Sequence, residues 1–250
     1  MLQTLSQERY ELKFSHKNRK IGYTYGSLSG VYSFRGEKSI AFESKLERDL
    51  LSLLEFDESV IDVTEQPFTI EYENHNGRTV TYTPDFLVEF QAPLTSCSYD
   101  TYRKSLLIEV KPDDILFKKF AELRPKFKTG IRFAKANDMI FKIFSESKIR
   151  TPKLKNLQMI ARYKRYQYSN DEENRILDHL QNVGHTRVDH LLCFLYVTEE
   201  QRSIALGQIW QLVWNKKVGC DLTIPLNMNT IVWLKIDEDY EEGVFNDDQF

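Results

Sequence analysis

Leu107-Ile108-Glu109-Val110-Lys111 sets two charged side chains within an apolar, β-branched run. Successive residues of a strand point to opposite faces, so Glu109 and Lys111 share one face while Ile108 and Val110 share the other. Burying a carboxylate or an ammonium is costly unless the charge is paired or bound to a metal. The pattern therefore indicates a functional pair or, as the ordinary alternative, an edge strand with a charged solvent face.

A second strand-like stretch, Pro84–Val88, places Asp85 ahead of apolar residues. Pro-Asp is also a common turn dipeptide, so Asp85 alone indicates little. Asp85 and Glu109 together offer the hard oxygen ligands that Mg2+ prefers. Lys111 adds a positive charge where an attacking water would meet a phosphate. The set favours metal-dependent hydrolysis of a phosphodiester.

Two glutamates stand four residues apart in a predicted helix over residues 41–56. At about 100° per residue, Glu43 and Glu47 fall within or at the edge of the apolar face that includes Leu46. Carboxylates on that face need a partner, which a metal ion or Lys111 would supply. The alternatives are a buried ion pair with an arginine, or a helix end that lets Glu43 reach water.

The order of elements up to residue 150 predicts an α/β sandwich. The predicted segments are extended structure over 61–73, a hairpin turn at 74–77, a returning strand over 78–90, a strand over 104–111, a helix over 115–135 and a strand over 139–144. A helix between two apolar strands indicates a right-handed βαβ crossover. We therefore expect one domain over residues 1–150, including an irregular or partly extended N-terminal arm over 1–40.

After Thr151-Pro152 the pattern becomes mainly helical. Helices are predicted at 153–166, from Asn170, at 186–198 and at 203–215, followed by strands at 220–223 and 231–234. This order is typical of a winged helix. A mainly α, winged-helix-like domain is thus expected over residues 151–250, with an acidic tail from Asp237.

Charge is distributed unevenly along the 250 residues. Residues 104–165 carry seventeen Lys or Arg against six Asp or Glu, whereas residues 166–250 carry six against fifteen. A basic block can hold a phosphate backbone, although a solvated face is the ordinary alternative.

The chain has no run of about 18 apolar residues that could span a membrane. No signal-peptide core and no CxxC pair is present, so we expect a cytoplasmic protein with reduced thiols.

Candidate DNA contacts are basic side chains of the arm and of the helix predicted over 115–135. They are Lys17, Arg19, Lys20, Lys118, Lys119, Arg124, Lys126 and Lys128. Such residues grip phosphates without reading sequence. The acidic block over 166–250 favours protein contact instead.

Five stretches follow one another in a fixed order: Phe42–Asp49, Leu54–Val63, Glu65–Pro67, Tyr82–Val88 and Ile108–Pro112. In this order they resemble the TnsA family, the endonuclease subunits of heteromeric cut-and-paste DNA transposons. The wider resemblance is to the PD-(D/E)xK superfamily. It implies a restriction-endonuclease-like mixed sheet flanked by helices.

The resemblance also implies the site. Glu47, Asp85, Glu109 and Lys111 match the family's catalytic set by position. Asp85 and Glu109, with the carbonyl of Val110, would ligate one or two Mg2+ ions (Mn2+ as a substitute), and Glu47 would complete the site or hold a metal-bound water. Lys111 would orient the attacking water.

Glu43 and Gln66 are secondary candidates, and for Gln66 a strand-end hydrogen bond is an equal alternative. The family further implies hydrolysis at the 5′ ends of a transposon in bacteria. The transposase subunit TnsB would process the 3′ ends, and the AAA+ regulator TnsC would bind the C-terminal domain. The alternatives are a stand-alone restriction or repair nuclease, or a non-catalytic DNA-binding assembly subunit.

Overall fold

A computed structural model describes residues 14–15, 28–74, 76–91 and 103–235. The chain divides into two compact units, one of residues 1–48 and 59–146 and one of residues 49–58 and 147–250. Most of residues 1–27 of the predicted arm over 1–40, and the whole acidic tail from Asp237, lie outside the described residues. Within those residues, no helix is both long and apolar enough to cross a membrane.

The first unit is a mixed α/β fold. Its elements are, in chain order, β1 (Phe14–Ser15), β2 (Gly30–Phe34), β3 (Lys38–Phe42), the start of α1 (Lys45–Phe56), β4 (Val60–Glu65), β5 (Thr69–Glu73), β6 (Thr79–Tyr82), β7 (Phe86–Phe90), β8 (Leu106–Lys111), α2 (Asp113–Ala136) and β9 (Ile140–Ser145). The largest sheet has the order β4-β7-β8-β9, and β1-β5-β6 and β2-β3 form two smaller sheets. The predicted α/β class with a mixed sheet is confirmed.

Strands β8 and β9 form the parallel pair of the mixed sheet, and α2 connects them. Strand β7 pairs antiparallel with both β4 and β8. Helix α2 approaches β9 closely at Gly130, where a Cβ would lie 2.6 Å from the Phe141 ring. Its Phe133 packs in a buried cluster with Ile70 and Leu107. The predicted crossover connection is thus present, and it covers the strand that carries Glu109.

The stretch over residues 78–90 is not one strand, contrary to the prediction. It forms β6, which pairs with β5, and β7, which pairs with β4 and β8 in a different sheet. Pro84 lies in the break between them, and a proline has no N–H for a ladder hydrogen bond. The break matters because it places Asp85 at the point where the chain enters the larger sheet.

The helix predicted over 41–56 is shorter at its start, since α1 begins at Lys45. Residues before it form the hairpin of β2 and β3, so this part of the predicted arm is extended rather than irregular. Its turn contains Arg35 and Gly36 with φ of 52° and 77°. Glu43 is therefore outside the helix, and only Glu47 is on it.

The second unit contains the remaining helices and a small sheet. Its elements are the rest of α1 from Asp49, then α3 (Glu146–Ile149), α4 (Pro152–Ile160), α5 (Asn170–Val183), β10 (His185–Arg187), α6 (Val188–Leu195), α7 (Glu199–Trp214), β11 (Val218–Cys220) and β12 (Ile231–Leu234). The sheet order is β10-β12-β11, with both pairs antiparallel. Strand β10 lies where the sequence predicted the start of a helix, and α6 begins only at Val188.

Two predicted elements of this unit end earlier than expected. Helix α4 ends at Ile160 rather than Tyr166, and turns follow it. Strand β11 ends at Cys220, because Asp221 accepts hydrogen bonds from the backbone and the hydroxyl of Thr223 and begins a turn. Such local side-chain bonds compete with a strand ladder.

Candidate active site

Asp85 is fixed to the neighbouring strand by two hydrogen bonds. It lies one residue before β7, and its N–H donates to the Ile108 carbonyl at 3.0 Å. Its Oδ2 accepts the Val110 N–H at 2.6 Å. The carboxylate is therefore held at the end of β8 by the backbone of the Glu-x-Lys strand itself.

Glu109 is completely buried, with 0% of its side chain exposed. Strand β8 lies between β7 and β9, so the alternative of an edge strand with a charged solvent face is wrong. Tyr82 donates its hydroxyl to Glu109 Oε2 at 2.9 Å. Lys111 Nζ lies 2.6 Å from Oε1, and Lys126 Nζ lies 2.6 Å from the same oxygen. Glu109 is thus a buried anion surrounded by donors.

Lys111 contacts the three groups that the sequence assigned to a metal ion. Its Nζ lies 2.6 Å from Glu109 Oε1, 3.9 Å from Asp85 Oδ2 and 2.9 Å from the Val110 carbonyl oxygen. The structure therefore brings Asp85, Glu109 and Lys111 together. These three oxygens form a cation-binding group, at present around an ammonium.

The electrostatics of the site follow from burial and crowding of like charge. Burial, then the negative charge of Glu109, raises the pKa of Asp85 to about 8, even though Lys111 and the Val110 N–H oppose the shift. Burial lowers the pKa of Lys111, but the charges of Asp85 and Glu109 outweigh it and raise that pKa overall. The Asp85 carboxyl is therefore more easily protonated than usual, and the Lys111 ammonium holds its proton firmly.

Glu47 joins the site through the first turn of α1. Its Oε2 accepts the Glu43 N–H at 2.8 Å, its Oε1 accepts the Ser44 hydroxyl at 2.7 Å, and the Glu47 N–H donates to Ser44 Oγ at 3.1 Å. Ser44 thus caps the helix N-terminus, and Glu47 bonds back to it in an arrangement that resembles a capping box but uses the Glu43 N–H in place of the Ser44 N–H. Burial raises the pKa of Glu47, and its charge acts on Lys111 and Asp85. The cap aims the carboxylate, and Ser44-x-x-Glu47 was a readable signal for it.

The two secondary candidates contact each other. Gln66 donates its side-chain amide to Glu43 Oε1 at 3.3 Å, and its backbone N–H donates to the Asp85 carbonyl at 2.9 Å. The strand-end hydrogen bond considered for Gln66 is therefore present. Gln66 also has a φ of 45° directly before Pro67. A non-glycine residue held there is strained, a feature that clusters at functional sites.

Most candidate DNA contacts of α2 are exposed. Lys118, Lys119, Arg124 and Lys128 lie on its surface, and the helix is interrupted by non-helical backbone at Lys119. Lys126 differs, because it points into the site and bonds Glu109. Lys17, Arg19 and Lys20 lie outside the described residues.

Tyr82 and Lys126 are the site contacts whose place sequence reasoning missed. Tyr82 ends β6 and is 2% exposed, so its hydroxyl needs an internal acceptor. Lys126 shares a helix face with Gly130 and Phe133, which follow at i+4 and i+7 and pack inward. That spacing was a signal that Lys126 faces the sheet.

The donors at the site suit a hard divalent cation. Carboxylates of Asp85 and Glu109 and the Val110 carbonyl are oxygen ligands of the type that Mg2+ takes. They already surround the cationic group of Lys111. Across the described ranges, no group of three or more His, Cys, Asp or Glu side chains is arranged to hold a metal. The fit therefore depends on two carboxylates and a carbonyl.

Comparison with known families agrees with the geometry. Residues 57–146 match the family described as TnsA-like endonuclease N terminal. The matched segment contains Tyr82, Asp85, Glu109, Lys111 and Lys126 but not Glu47. No curated protein matches the chain. The resemblance read from the five sequence stretches is confirmed.

Proposed function

Since residues 57–146 carry a TnsA-like endonuclease domain, we propose that this protein is the DNA endonuclease subunit of a heteromeric transposase in the bacterial cytoplasm. It hydrolyses the 5′, non-transferred strand at transposon ends during cut-and-paste transposition. The observation that carries this proposal is the meeting of Asp85, Glu109 and Lys111 where β7 begins and β8 ends.

Each residue of the site has a defined task. Asp85, Glu109 and the Val110 carbonyl are the groups that would hold one or two Mg2+ ions, with Glu47 completing the set. An ion held by these residues would supply a water of lowered pKa and positive charge beside the attacking and leaving oxygens. Lys111 stays protonated, so its ammonium orients the water and stabilises the charge that develops on the phosphate.

The test is end cleavage in a reconstituted system with the transposase subunit TnsB, the regulator TnsC and Mg2+. Asp85→Ala is expected to abolish 5′-strand cleavage while 3′-strand processing by TnsB continues. Sequencing gels that resolve both strands of each end measure the two reactions separately. Cleavage of the 5′ strand at the normal rate by Asp85→Ala contradicts the proposal.

A stand-alone restriction or repair nuclease is the second candidate. It is favoured by the fact that Asp85, Glu109 and Lys111 all come from this one chain. A stand-alone enzyme cuts duplex DNA with Mg2+ and no partner, whereas a transposase subunit needs the assembled complex. A non-catalytic assembly subunit supports neither reaction, and its complex loses nothing on Asp85→Ala.

For the second unit we propose a winged helix that docks the AAA+ regulator. The chain order α5-β10-α6-α7-β11-β12 and the sheet order β10-β12-β11 support the winged-helix assignment. Phe194 and Val197 are 74% and 88% exposed beside the acidic Glu199 and Glu200. Exposed apolar groups with an acidic rim suit a protein partner better than DNA.

Co-purification with TnsC tests this docking surface. Val197→Asp is expected to weaken binding to the regulator without lowering thermal stability. The matched control is Ile61→Asp, an equally drastic change at an exposed residue of the first unit. Undiminished regulator binding by Val197→Asp contradicts the assignment.

A further inference from the structure

Glu109 receives two ammonium groups on one oxygen. Lys111 and Lys126 each place Nζ 2.6 Å from Oε1, and the Tyr82 hydroxyl bonds Oε2. Lys111 also contacts the Val110 carbonyl and approaches Asp85. Lys126 has a different setting, since its Nζ lies 4.6 Å from the centre of the Tyr82 ring. Two lysines, one on β8 and one on α2, thus pair with the same carboxylate.

A divalent cation bound to Asp85 and Glu109 cannot share this arrangement. Lys111 and Lys126 both lie at contact distance from Oε1, and a further positive group there would be repelled strongly inside a protein. Lys111 retains contacts to the Val110 carbonyl and Asp85 if it leaves Oε1. Lys126 is held in the site by fewer contacts than Lys111. In the part of the chain that the structure describes, Glu109 is its one carboxylate partner.

The position of Lys126 also allows its ammonium group to leave Glu109. Its side chain is 23% exposed, so it reaches solvent although its head group bonds a buried anion. Helix α2 also carries the exposed Lys118, Lys119, Arg124 and Lys128, which attract a phosphate backbone. A lysine has a flexible four-carbon stem and a compact charge, so it can exchange one anion for another.

We propose that Lys126 is a positioning residue that exchanges partners during the reaction, an inference that rests on the proposed nuclease function. Without a divalent cation it holds Glu109. When the cation takes Oε1, Lys126 turns to a phosphate of the bound DNA. The exchange links metal binding to DNA binding, and by linkage each ligand raises the affinity for the other.

Calorimetric titration of Mn2+ into the full-length protein without DNA tests the first half of the exchange. Lys126→Met removes the competing charge but keeps much of the apolar stem, so it is expected to bind Mn2+ about tenfold more tightly than the wild type. Lys128→Met carries the same charge change on the exposed face of the same helix and is expected to leave Mn2+ affinity unchanged. Tighter binding cannot come from a loosened site, because disorder of Glu109 weakens metal binding.

Cleavage of the 5′ strand in the reconstituted system with TnsB, TnsC and saturating Mg2+ tests the second half. Lys126→Met is expected to cleave about tenfold more slowly, because one charge-assisted contact to the phosphate is gone. Lys126→Arg keeps the charge and is expected to retain the wild-type Mn2+ affinity. Lys126→Gln, which preserves a hydrogen-bond donor to Glu109, serves if the methionine variant does not fold.

Two results overturn the exchange: Mn2+ affinity in Lys126→Met that is equal to or weaker than wild type, or full cleavage at saturating Mg2+. Wild-type protein in the same titrations separates this outcome from a wrong function. If it neither binds Mn2+ nor cleaves, the proposed nuclease fails. If it does both and Lys126→Met behaves like it, only the exchange fails.

Discussion

The Val110 N–H donates to Asp85 Oδ2 at 2.6 Å, which ties the entry of β7 to the end of β8. This bond uses a backbone donor, so any residue at position 110 can supply it. The acceptor must be an oxygen on a short side chain at position 85, which Asp or Asn can supply. Substitutions of Asp85 can therefore separate its effect on stability from its effect on catalysis.

Asp85→Asn is expected to raise the stability of the metal-free protein while reducing cleavage at least about a hundredfold. The pKa of Asp85 is raised to about 8, above its value of about 4 in the unfolded chain. Between these two pKa values the folded state therefore binds more protons than the unfolded state. Wild-type stability consequently falls as the pH rises from the lower value to the higher one. Asparagine has no such dependence.

Thermal melting in EDTA at pH 5 and at pH 8.5 measures the effect. The Tm advantage of Asp85→Asn should be a few degrees and larger at pH 8.5. Glu89→Gln, at an exposed position of β7, is the control for the loss of a carboxylate from the same strand. A lower Tm for Asp85→Asn than for wild type at pH 8.5 would show that the ionised carboxylate stabilises the fold.

Tyr82→Phe is expected to slow cleavage about tenfold with little loss of stability. The change removes only the hydroxyl that donates to Glu109 Oε2 at 2.9 Å, and partners that orient a ligating group are worth about 10–100-fold. The ring remains packed in the core. Tyr72→Phe, on the neighbouring β5, is the matched control. Equal rates for the two variants would remove Tyr82 from the site.

Ser44→Ala is expected to lower both stability and cleavage. It removes the N-cap hydroxyl that bonds Glu47, and the loss of an N-cap costs about 1 kcal/mol. Thr198→Ala removes the N-cap of α7, which forms a capping box with Gln201. It should lower the Tm by a similar amount. Cleavage should be unchanged, whether it is measured with the isolated protein or in the complex at saturating regulator. A rate loss in neither variant would mean that Glu47 serves only as a cap.

Lys118→Ala combined with Lys119→Ala is expected to weaken DNA binding equally for all sequences. Each lost phosphate contact reduces the slope of log K against log salt by about 0.9, so two contacts reduce it by about 2. The control is Lys153→Ala with Lys155→Ala, the same charge change at α4 in the second unit. Fluorescence anisotropy over a range of salt concentrations measures the slopes, and identical slopes for the two double variants contradict the DNA-facing assignment of α2.

Much of the first unit could be predicted because its elements are locally encoded. Alternation in Leu107–Lys111 and the apolar run of β9 define their strands, and the basic stretch between them has helical periodicity. The alternation did not reveal the split of residues 78–90, since both β6 and β7 alternate. Pro84 was a signal for a break, but the different pairing partners of the two strands appear only in the structure.

The chain by itself determined the identity of the reactive groups. Asp85 ahead of one strand and Glu109 two residues before Lys111 on the next are properties of the polymer, and their chemistry follows from residue type and spacing. The tertiary structure decided which other groups surround them. Tyr82 and Lys126 reach Glu109 only because β6 ends at the sheet and α2 folds back over β8. Contacts between residues far apart in sequence depend on packing, and a local pattern does not predict which distant residues will meet.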